Sequence, residues 1–224
     1  MSCLILRAYL KTTYRGLIEI LGVSDGLRDA LGLRSLPHYS TLKRFADRSS
    51  VLDVIDAMLL ELVRQRDGDS PEEAAIDATG METTSASAHY LTRSGKRRSK
   101  YVKLSVCVMA GSLLAKASTV NQPKTLFADA GYDAEWVHEF CRDDWQVESI
   151  IKPAVHRSDG QHNGTYRSEM TEETLTEKGY GRRWLVESFM SGLKRTTGAA
   201  LAARTQASLF IEASLRVLAY AIRR

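Results

Sequence analysis

Three carboxylates, Asp77, Asp129 and Glu187, stand where the sequence could bring them to one site. Asp77 and Asp129 end the short apolar runs AAID and TLFAD, which predict strands, and α/β proteins place their sites at the ends of strands. Three converging acids require a cation, and oxygen ligands without Cys or His suit Mg²⁺ or Mn²⁺. Two such ions, about 4 Å apart, can activate a nucleophile that cuts a phosphodiester. Taken singly, each Asp is more often the cap of a turn.

Glu187 belongs to a group of four polar residues, with Tyr180, Arg183 and Lys194, whose spacing places them on one side of a predicted helix over 180–195. At about 100° per residue they share a stripe roughly 60° wide, opposite an apolar face that packs on a core. The i, i+4 spacing of Arg183 and Glu187 also suits an ordinary surface ion pair. On these residues alone the two interpretations are equally good.

Charge is unevenly distributed along the chain, although the net charge is only +4. The segment 92–103 contains six Lys or Arg and no acid, including Lys96, Arg97 and Arg98, and 178–224 is also basic. The intervening 104–177 contains twelve acidic and six basic residues. Two basic regions around an acidic middle favour a polyanion such as nucleic acid, whereas an ordinary solvated surface is the commoner explanation of such clusters.

Two regions differ in their periodicity. Residues 1–67 predict helices only, with one helix from Leu4 to Leu21, and residues 68–224 alternate strands and helices. Within the first region, LRDALGLRSLPHYSTLKRF suits a helix-turn-helix that presents Lys43 and Arg44 to DNA, and a plain helical hairpin suits it equally well. The second region, with strands predicted at 101–111 and 147–153, indicates an α/β domain.

Several classes of protein are excluded by composition. The sequence has no run of 18 apolar residues, so we expect no membrane span, and the N-terminus lacks a signal-peptide cleavage pattern, so we expect a cytoplasmic protein. Cys3, Cys107 and Cys141 are odd in number and widely spaced, which argues against a disulfide framework and a zinc site.

These motifs resemble those of the DDE transposases of bacterial insertion sequences. Tyr180-x2-Arg183-x3-Glu187-x6-Lys194 is similar to their Y-R-E-K signature, and IDATGMETT and FADAGYDAEWV resemble their first-Asp and second-Asp strands. The resemblance implies a ribonuclease H-like mixed sheet with flanking helices, preceded by a small all-α N-terminal domain. It also implies that Asp77, Asp129 and Glu187 bind two Mg²⁺ or Mn²⁺ ions, while Tyr180, Arg183 and Lys194 contact DNA phosphates.

The activity implied by the resemblance is cleavage of DNA at transposon ends by water, followed by joining of the freed 3′-OH to target DNA. Its partners would be double-stranded DNA, as terminal repeats and as target, and further copies of the chain assembled on that DNA. The expected location is the cytoplasm, in association with the nucleoid.

One departure from the family concerns the distance between the two aspartates. Only 51 residues separate Asp77 from Asp129, so a third strand and the start of the following helix are expected to be missing, about twenty to thirty residues in all. Strand 101–111 would then lie at the edge of the sheet. The alternatives are a non-catalytic DNA-binding remnant, a nuclease of the same fold that cuts without joining, and, more remotely, a metal-dependent phosphatase.

Overall fold

The computed structural model describes residues 1–67, 73–83, 101–106, 122–154 and 162–223. They belong to two compact units, each assembled from segments that are distant in sequence. The first comprises Met1–Leu62, Gly80–Val102 and Gly192–Arg224, and the second comprises Val63–Thr79 and Lys103–Ser191. The division of the chain into domains 1–67 and 68–224 stays a prediction, and residue 68 itself lies outside the described residues.

Helices and strands alternate along the described residues after a helical start. In chain order they are α1 (Ser2–Tyr9), α2 (Tyr14–Gly22), α3 (Asp25–Ala30), α4 (Tyr39–Ala46), α5 (Ser50–Asp67), β1 (Glu73–Glu82), β2 (Tyr101–Val106), β3 (Thr125–Ala128), α6 (Glu135–Glu139), β4 (Glu148–Ile151), α7 (Thr165–Ser168), α8 (Glu172–Glu177), α9 (Trp184–Thr197) and α10 (Gln206–Arg223). Short 3₁₀ turns cover Ala130–Tyr132 and Tyr180–Arg183, and a π-helical turn covers Phe140–Asp144.

The predicted single helix from Leu4 to Leu21 is wrong, because the structure breaks it into α1 and α2. Lys11 adopts a left-handed backbone with φ of 53°, and the Thr13 hydroxyl caps α2 by accepting a hydrogen bond from the Gly16 amide at 3.0 Å. Threonine hydroxyls compete with helical hydrogen bonds and favour cap positions. The apolar periodicity continued across the break because both helices bury leucines, and periodicity does not report the break.

The first unit has a core made by helices from both ends of the chain. Buried side chains from α1, α4, α5 and α10 form one cluster, in which full burial of each leucine or isoleucine contributes about 1.5–3 kcal/mol. The cluster comprises Leu4, Ala8, Ala46, Val51, Ile55, Ile211, Leu215, Leu218 and Ala219. A second cluster joins α1, α2 and α4 through Cys3, Leu17, Leu21 and Leu42.

The described strands form one sheet in the order β2-β1-β3-β4. β1 pairs with β3 in parallel, with Ile76 opposite Ala128, and β3 pairs in parallel with β4. Leu126, Phe127 and Ala128 are all buried, because apolar clusters cover both faces of the sheet at β3. Burial on both faces explains why this strand is continuously apolar in sequence.

The prediction of an α/β chain with strands near 74, 101, 125 and 148 is confirmed. β2 lies at one end of the strand order among the described strands, as expected for strand 101–111, whose residues 107–111 lie outside the described residues. The segment in which the missing strand was expected, after residue 111, also lies outside the described residues. No helix in the described part of the chain is both long enough and apolar enough to cross a membrane.

Candidate active site

Asp77 and Asp129 occupy neighbouring positions on two adjacent parallel strands. The paired register of β1 and β3 ends at Ile76 and Ala128, and Asp77 and Asp129 are the residues that follow this last pair. Neighbouring strands lie about 4.8 Å apart, so the two backbones are held side by side. The sequence correctly placed Asp129 directly after its strand, whereas Asp77 lies within β1, which continues to Glu82. What ends at Asp77 is the pairing with β3.

The face of the sheet that carries Asp77 follows from the alternation of side chains along β1. Ile76 belongs to the cluster formed with α6, whereas Ala75 packs with Phe127 and Tyr180 on the other face. Asp77, two residues after Ala75, shares the face of Tyr180. The carboxylate therefore points to the same side as the segment that leads into α9.

The predicted helix over 180–195 begins later than expected. Tyr180–Arg183 forms a 3₁₀ turn and the α-helix starts at Trp184, because Gly179 adopts a left-handed conformation with φ of 70° directly before the turn. In a 3₁₀ helix the side chains at i and i+3 eclipse each other, so Tyr180 and Arg183 still share a side. The Tyr180 hydroxyl donates a hydrogen bond to the Ala128 carbonyl at 3.1 Å, which ties this turn to the residue before Asp129.

Arg183 links two of the three candidate carboxylates. Its Nη1 lies 3.6 Å from Asp77 Oδ2, and its Nη2 contacts Glu187 Oε1 one helical turn further on. The i, i+4 ion pair that was the ordinary interpretation of this spacing is therefore present. It differs from a surface pair because Arg183 also reaches a strand residue 106 positions away in sequence, and because its side chain is only 20% exposed while that of Glu187 is 55% exposed.

The two aspartates also bind backbone amides nearby. Asp129 Oδ1 accepts a hydrogen bond from the Gly131 amide at 3.0 Å and so caps the 3₁₀ turn, and Asp77 Oδ1 accepts one from the Ala78 amide at 2.7 Å. The capping role considered for a single aspartate is thus real at Asp129. Each carboxylate has a second oxygen, so a cap does not exhaust its capacity as an acceptor.

The pKa of Tyr180 is affected by the charges of both Arg183 and Asp129. Burial raises the pKa of its hydroxyl above the ordinary value, while Arg183 lowers that pKa and the charge of Asp129 raises it. The phenol is therefore neutral at physiological pH and acts as a hydrogen-bond donor.

The candidate side chains offer oxygen ligands, the kind that hard divalent cations such as Mg²⁺ and Mn²⁺ prefer. It consists of carboxylate oxygens, and the contact of Arg183 with both Asp77 and Glu187 shows that positive charge is favourable between these two side chains. Among the residues that the structure describes, no group of three carboxylate, imidazole or thiol side chains is arranged to hold an ion. The structure thus brings Asp77 and Asp129 together and connects Glu187 to Asp77 through a cation.

The remaining candidate residues lie elsewhere. Lys194 is on α9, seven residues after Glu187, and belongs to the first compact unit. Lys43 and Arg44 are on α4, where Lys43 pairs with Asp47 at 2.6 Å and Arg44 is exposed. Lys96, Arg97 and Arg98 lie outside the described residues.

One contact at the site had no signal in the sequence. Arg182 pairs with Glu73 at the start of β1 and so fixes the 3₁₀ turn against the strand that carries Asp77. The two residues are 109 positions apart, and no local pattern predicts such a pair.

Comparison with known proteins identifies the family of the chain. No curated protein and no solved structure matches the chain. The family model described as the transposase DDE domain matches residues 110–222, just over half of the 224 residues. The match includes Asp129, Glu187 and the whole of the 180–194 segment and begins after Asp77. The chain therefore belongs to the transposase DDE domain family, whose members act on DNA.

Proposed function

We propose that this chain is a DNA transposase that hydrolyses phosphodiester bonds at transposon ends and transfers the freed 3′-OH to target DNA. The observation that carries the proposal is the arrangement of the three carboxylates. Asp77 and Asp129 are neighbours on parallel strands, and Arg183 connects Asp77 to Glu187. This arrangement joins the part of the chain matched by the family model to a strand outside that match.

Asp77, Asp129 and Glu187 are proposed as ligands of two Mg²⁺ or Mn²⁺ ions. Such ions, when bound, would activate the attacking oxygen and stabilise the leaving oxygen of the phosphodiester. The strands hold the two aspartates rigidly, whereas Glu187 is a half-exposed side chain on a helix. Glu187 is therefore the ligand that can adjust its position as the site fills.

Arg183 would change partners during this process. Its Nη1 is buried without a hydrogen bond, so the guanidinium retains a donor for a phosphate oxygen. With Asp77 and Glu187 engaged as ligands of divalent ions, Arg183 would be free to donate to a DNA phosphate. Tyr180, which is neutral, is proposed to contact a neighbouring DNA phosphate, and Lys194 is proposed as a further phosphate contact.

The fold proposed for the second unit is ribonuclease H-like with one edge strand missing. The parallel β1-β3-β4 arrangement and the terminal position of β2 support it. Further DNA contacts are proposed for Lys43, Arg44, Lys96, Arg97 and Arg98, with double-stranded DNA as the partner and several copies of the chain assembled on it.

A second candidate is a non-catalytic relative that occupies transposon ends without cutting them. The pairing of Arg183 with two of the three carboxylates favours it, because a guanidinium held there competes with metal ions. In that case the basic residues would keep their role and the carboxylates would serve only to position Arg183.

The test is incubation of the chain with DNA that carries the terminal repeats flanking its coding sequence. We expect nicks at the repeat boundary and joined products with Mg²⁺ or Mn²⁺, and none with EDTA. Nicks without joined products would identify a nuclease, and binding without nicks would identify the non-catalytic relative. Failure to bind end-containing DNA more tightly than random DNA would contradict all three.

A further inference from the structure

The first unit contains a cavity of about 420 Å³ whose walls carry more basic than acidic side chains. It is lined from α1, α2, α4 and the segment entering α10, and five of its lining residues are Lys or Arg while two are Asp or Glu. We call it the basic cavity and define it by Arg7, Lys11, Tyr14, Lys43, Arg204 and Thr205.

Internal ion pairs account for only part of this positive charge. Arg216 pairs with Glu212 at 2.7 Å, and Lys43 pairs with Asp47 at 2.6 Å. These two pairs use both acids of the wall. Arg7, Lys11 and Arg204 remain without a carboxylate partner within the part of the chain that the structure describes. Lys11 and Arg204 are exposed, and Lys11 donates a hydrogen bond to the Arg195 carbonyl at 2.8 Å, so Arg7 is the one of the three that is removed from water.

Arg7 is the residue that points most directly to a ligand. It is only 8% exposed, lies over the Tyr14 ring at 4.3 Å and donates one long hydrogen bond of 3.5 Å to the Thr12 carbonyl. Its Nε has no hydrogen-bond partner. A buried guanidinium is costly unless a counter-charge and hydrogen bonds compensate for its lost hydration. The cavity beside it is where that counter-charge can enter.

Two helix N-termini reach the same cavity. Thr13 caps α2, and Thr205 precedes α10 and accepts a hydrogen bond from the Ser208 amide at 3.3 Å; both threonines line the wall. Helix N-termini carry partial positive charge and favour phosphate groups. Arg7 and the two N-termini are independent features, and both select an anion.

We propose that the basic cavity binds a phosphate group through Arg7 and Arg204. Its volume lies within the range of small-molecule sites and exceeds what one inorganic phosphate fills. The ligand class is therefore a phosphate ester, either in the backbone of DNA or in a free nucleotide. The cavity lies outside the carboxylate site and goes beyond the proposed function.

Binding can be measured without metal ions, so that the carboxylate site plays no part. Titration calorimetry in EDTA would use dAMP and inorganic phosphate as free probes, and fluorescence anisotropy would use a random duplex. We expect Arg204→Gln to weaken binding of at least one probe about tenfold, as loss of a charge-assisted hydrogen bond does. Arg34→Gln is the matched control, because Arg34 is exposed and does not line the cavity.

The source of the phosphate follows from the probe that responds. A larger loss for dAMP assigns the site to a nucleotide, and a larger loss for duplex assigns it to the DNA backbone. Equal behaviour of Arg204→Gln and Arg34→Gln with every probe would overturn the proposal.

Arg7→Met supplies an independent readout, because a purely structural arginine would behave in the opposite way. We expect the ligand-free variant to melt at the same temperature as the parent or higher, and to lose the rise in melting temperature that the bound probe produces. A lower ligand-free melting temperature with an unchanged probe-dependent rise would show that Arg7 only supports the fold, and would overturn its assignment as a ligand.

Discussion

Two arginines, one in each unit, lie in opposite electrostatic settings. In the second unit Arg183 contacts two carboxylates, Asp77 and Glu187, whereas in the first unit Arg7 is more deeply buried and contacts no carboxylate among the described residues. The carboxylate site already contains a cation of its own. In the basic cavity the two acids are paired with Arg216 and Lys43, and Arg7 has no counter-ion among the described residues. Charge balance therefore predicts different responses. A cation that binds the carboxylate site must displace Arg183, whereas an anion that binds the basic cavity would pair with Arg7 without displacing a side chain.

The difference also separates motif from environment. Arg183 belongs to the Y-R-E-K pattern, whose spacing can be recognised directly in the sequence. Arg7 belongs to no motif, and only its burial and its neighbours from α2 and α10 make it conspicuous. An unpaired buried charge can be recognised from the three-dimensional structure but not from the sequence.

The largest effect should come from removing a carboxylate of the proposed metal site. Asp129→Asn is expected to reduce metal-dependent nicking of end-containing DNA by at least about 100-fold, because the lost charge weakens binding of the ions that stabilise the reacting oxygens. Binding of the same DNA in EDTA should be unchanged. Asp144→Asn, which removes an exposed carboxylate outside the site, is the control. Equal nicking by the two variants would remove Asp129 from the site.

Within the first unit, a paired and an unpaired arginine can be compared directly. Arg216 donates to Glu212, to the Gly198 carbonyl and to the Ala200 carbonyl at 2.7 Å each, and Glu212 accepts from the Ala203 amide at 2.8 Å. Glu212→Gln leaves Arg216 buried without its counter-ion and should cost about 3 kcal/mol of unfolding free energy.

Urea unfolding of Glu212→Gln and Arg7→Met measures this contrast. The first should be strongly destabilised and the second should not. Equal losses would show that Arg7 is compensated in a way that its contacts do not reveal.

Much of the fold could be predicted from the sequence. The strands at 125–128 and 148–151 are short apolar runs between turn residues, and burial on both faces leaves such runs no other role. The break after Tyr9 and the late start of α9 were missed, because both depend on single backbone conformations, at Lys11 and Gly179, that periodicity does not report. The prediction of a helix boundary fails where the backbone conformation of a single residue determines that boundary.

The candidate site was predictable to a similar degree. Spacing and apolar runs singled out Asp77, Asp129 and Arg183 as candidates, and the strand register places the two aspartates side by side. Spacing could not show that Arg183 reaches Asp77 as well as Glu187, or that Arg182 pairs with Glu73. Those contacts join residues more than a hundred positions apart, and only the packed chain specifies them.

A buried neutral base in the second unit should make stability depend on pH. His138 is fully buried, and burial, with Arg142 nearby, lowers its pKa from 6.5 to about 4. In the unfolded chain His138 therefore takes up a proton below about pH 6.5, whereas in the folded chain it does so only below about pH 4. The unfolding free energy should fall by about 2 kcal/mol between pH 7 and pH 5.

The measurement is urea unfolding at pH 7, 6 and 5 for the parent and for His138→Gln. The variant loses the group that titrates and should lose most of this slope, even if its stability at pH 7 is lower because the contact of His138 Nδ1 with Ser149 Oγ, 2.8 Å long, is altered. The carboxylate of Asp133 pairs with Arg167 at 2.7 Å, which lowers its pKa, so it titrates below this pH range. An undiminished slope in the variant would assign the pH dependence to another group.

The smallest effect separates two adjacent cations on α4. Arg44 is exposed with no ion pair among the described residues, whereas Lys43 is already paired with Asp47. If α4 approaches DNA, Arg44→Gln should weaken binding of a random duplex several-fold and lower the salt slope by about one, since one phosphate contact releases about one counter-ion. Lys43→Gln should change both less, because Asp47 cancels much of its charge before DNA arrives. Anisotropy titrations at four salt concentrations would resolve the slopes. A larger loss from Lys43→Gln would mean that Lys43 leaves Asp47 on binding, and that the matched charges of α4 are as available to DNA as the unmatched ones.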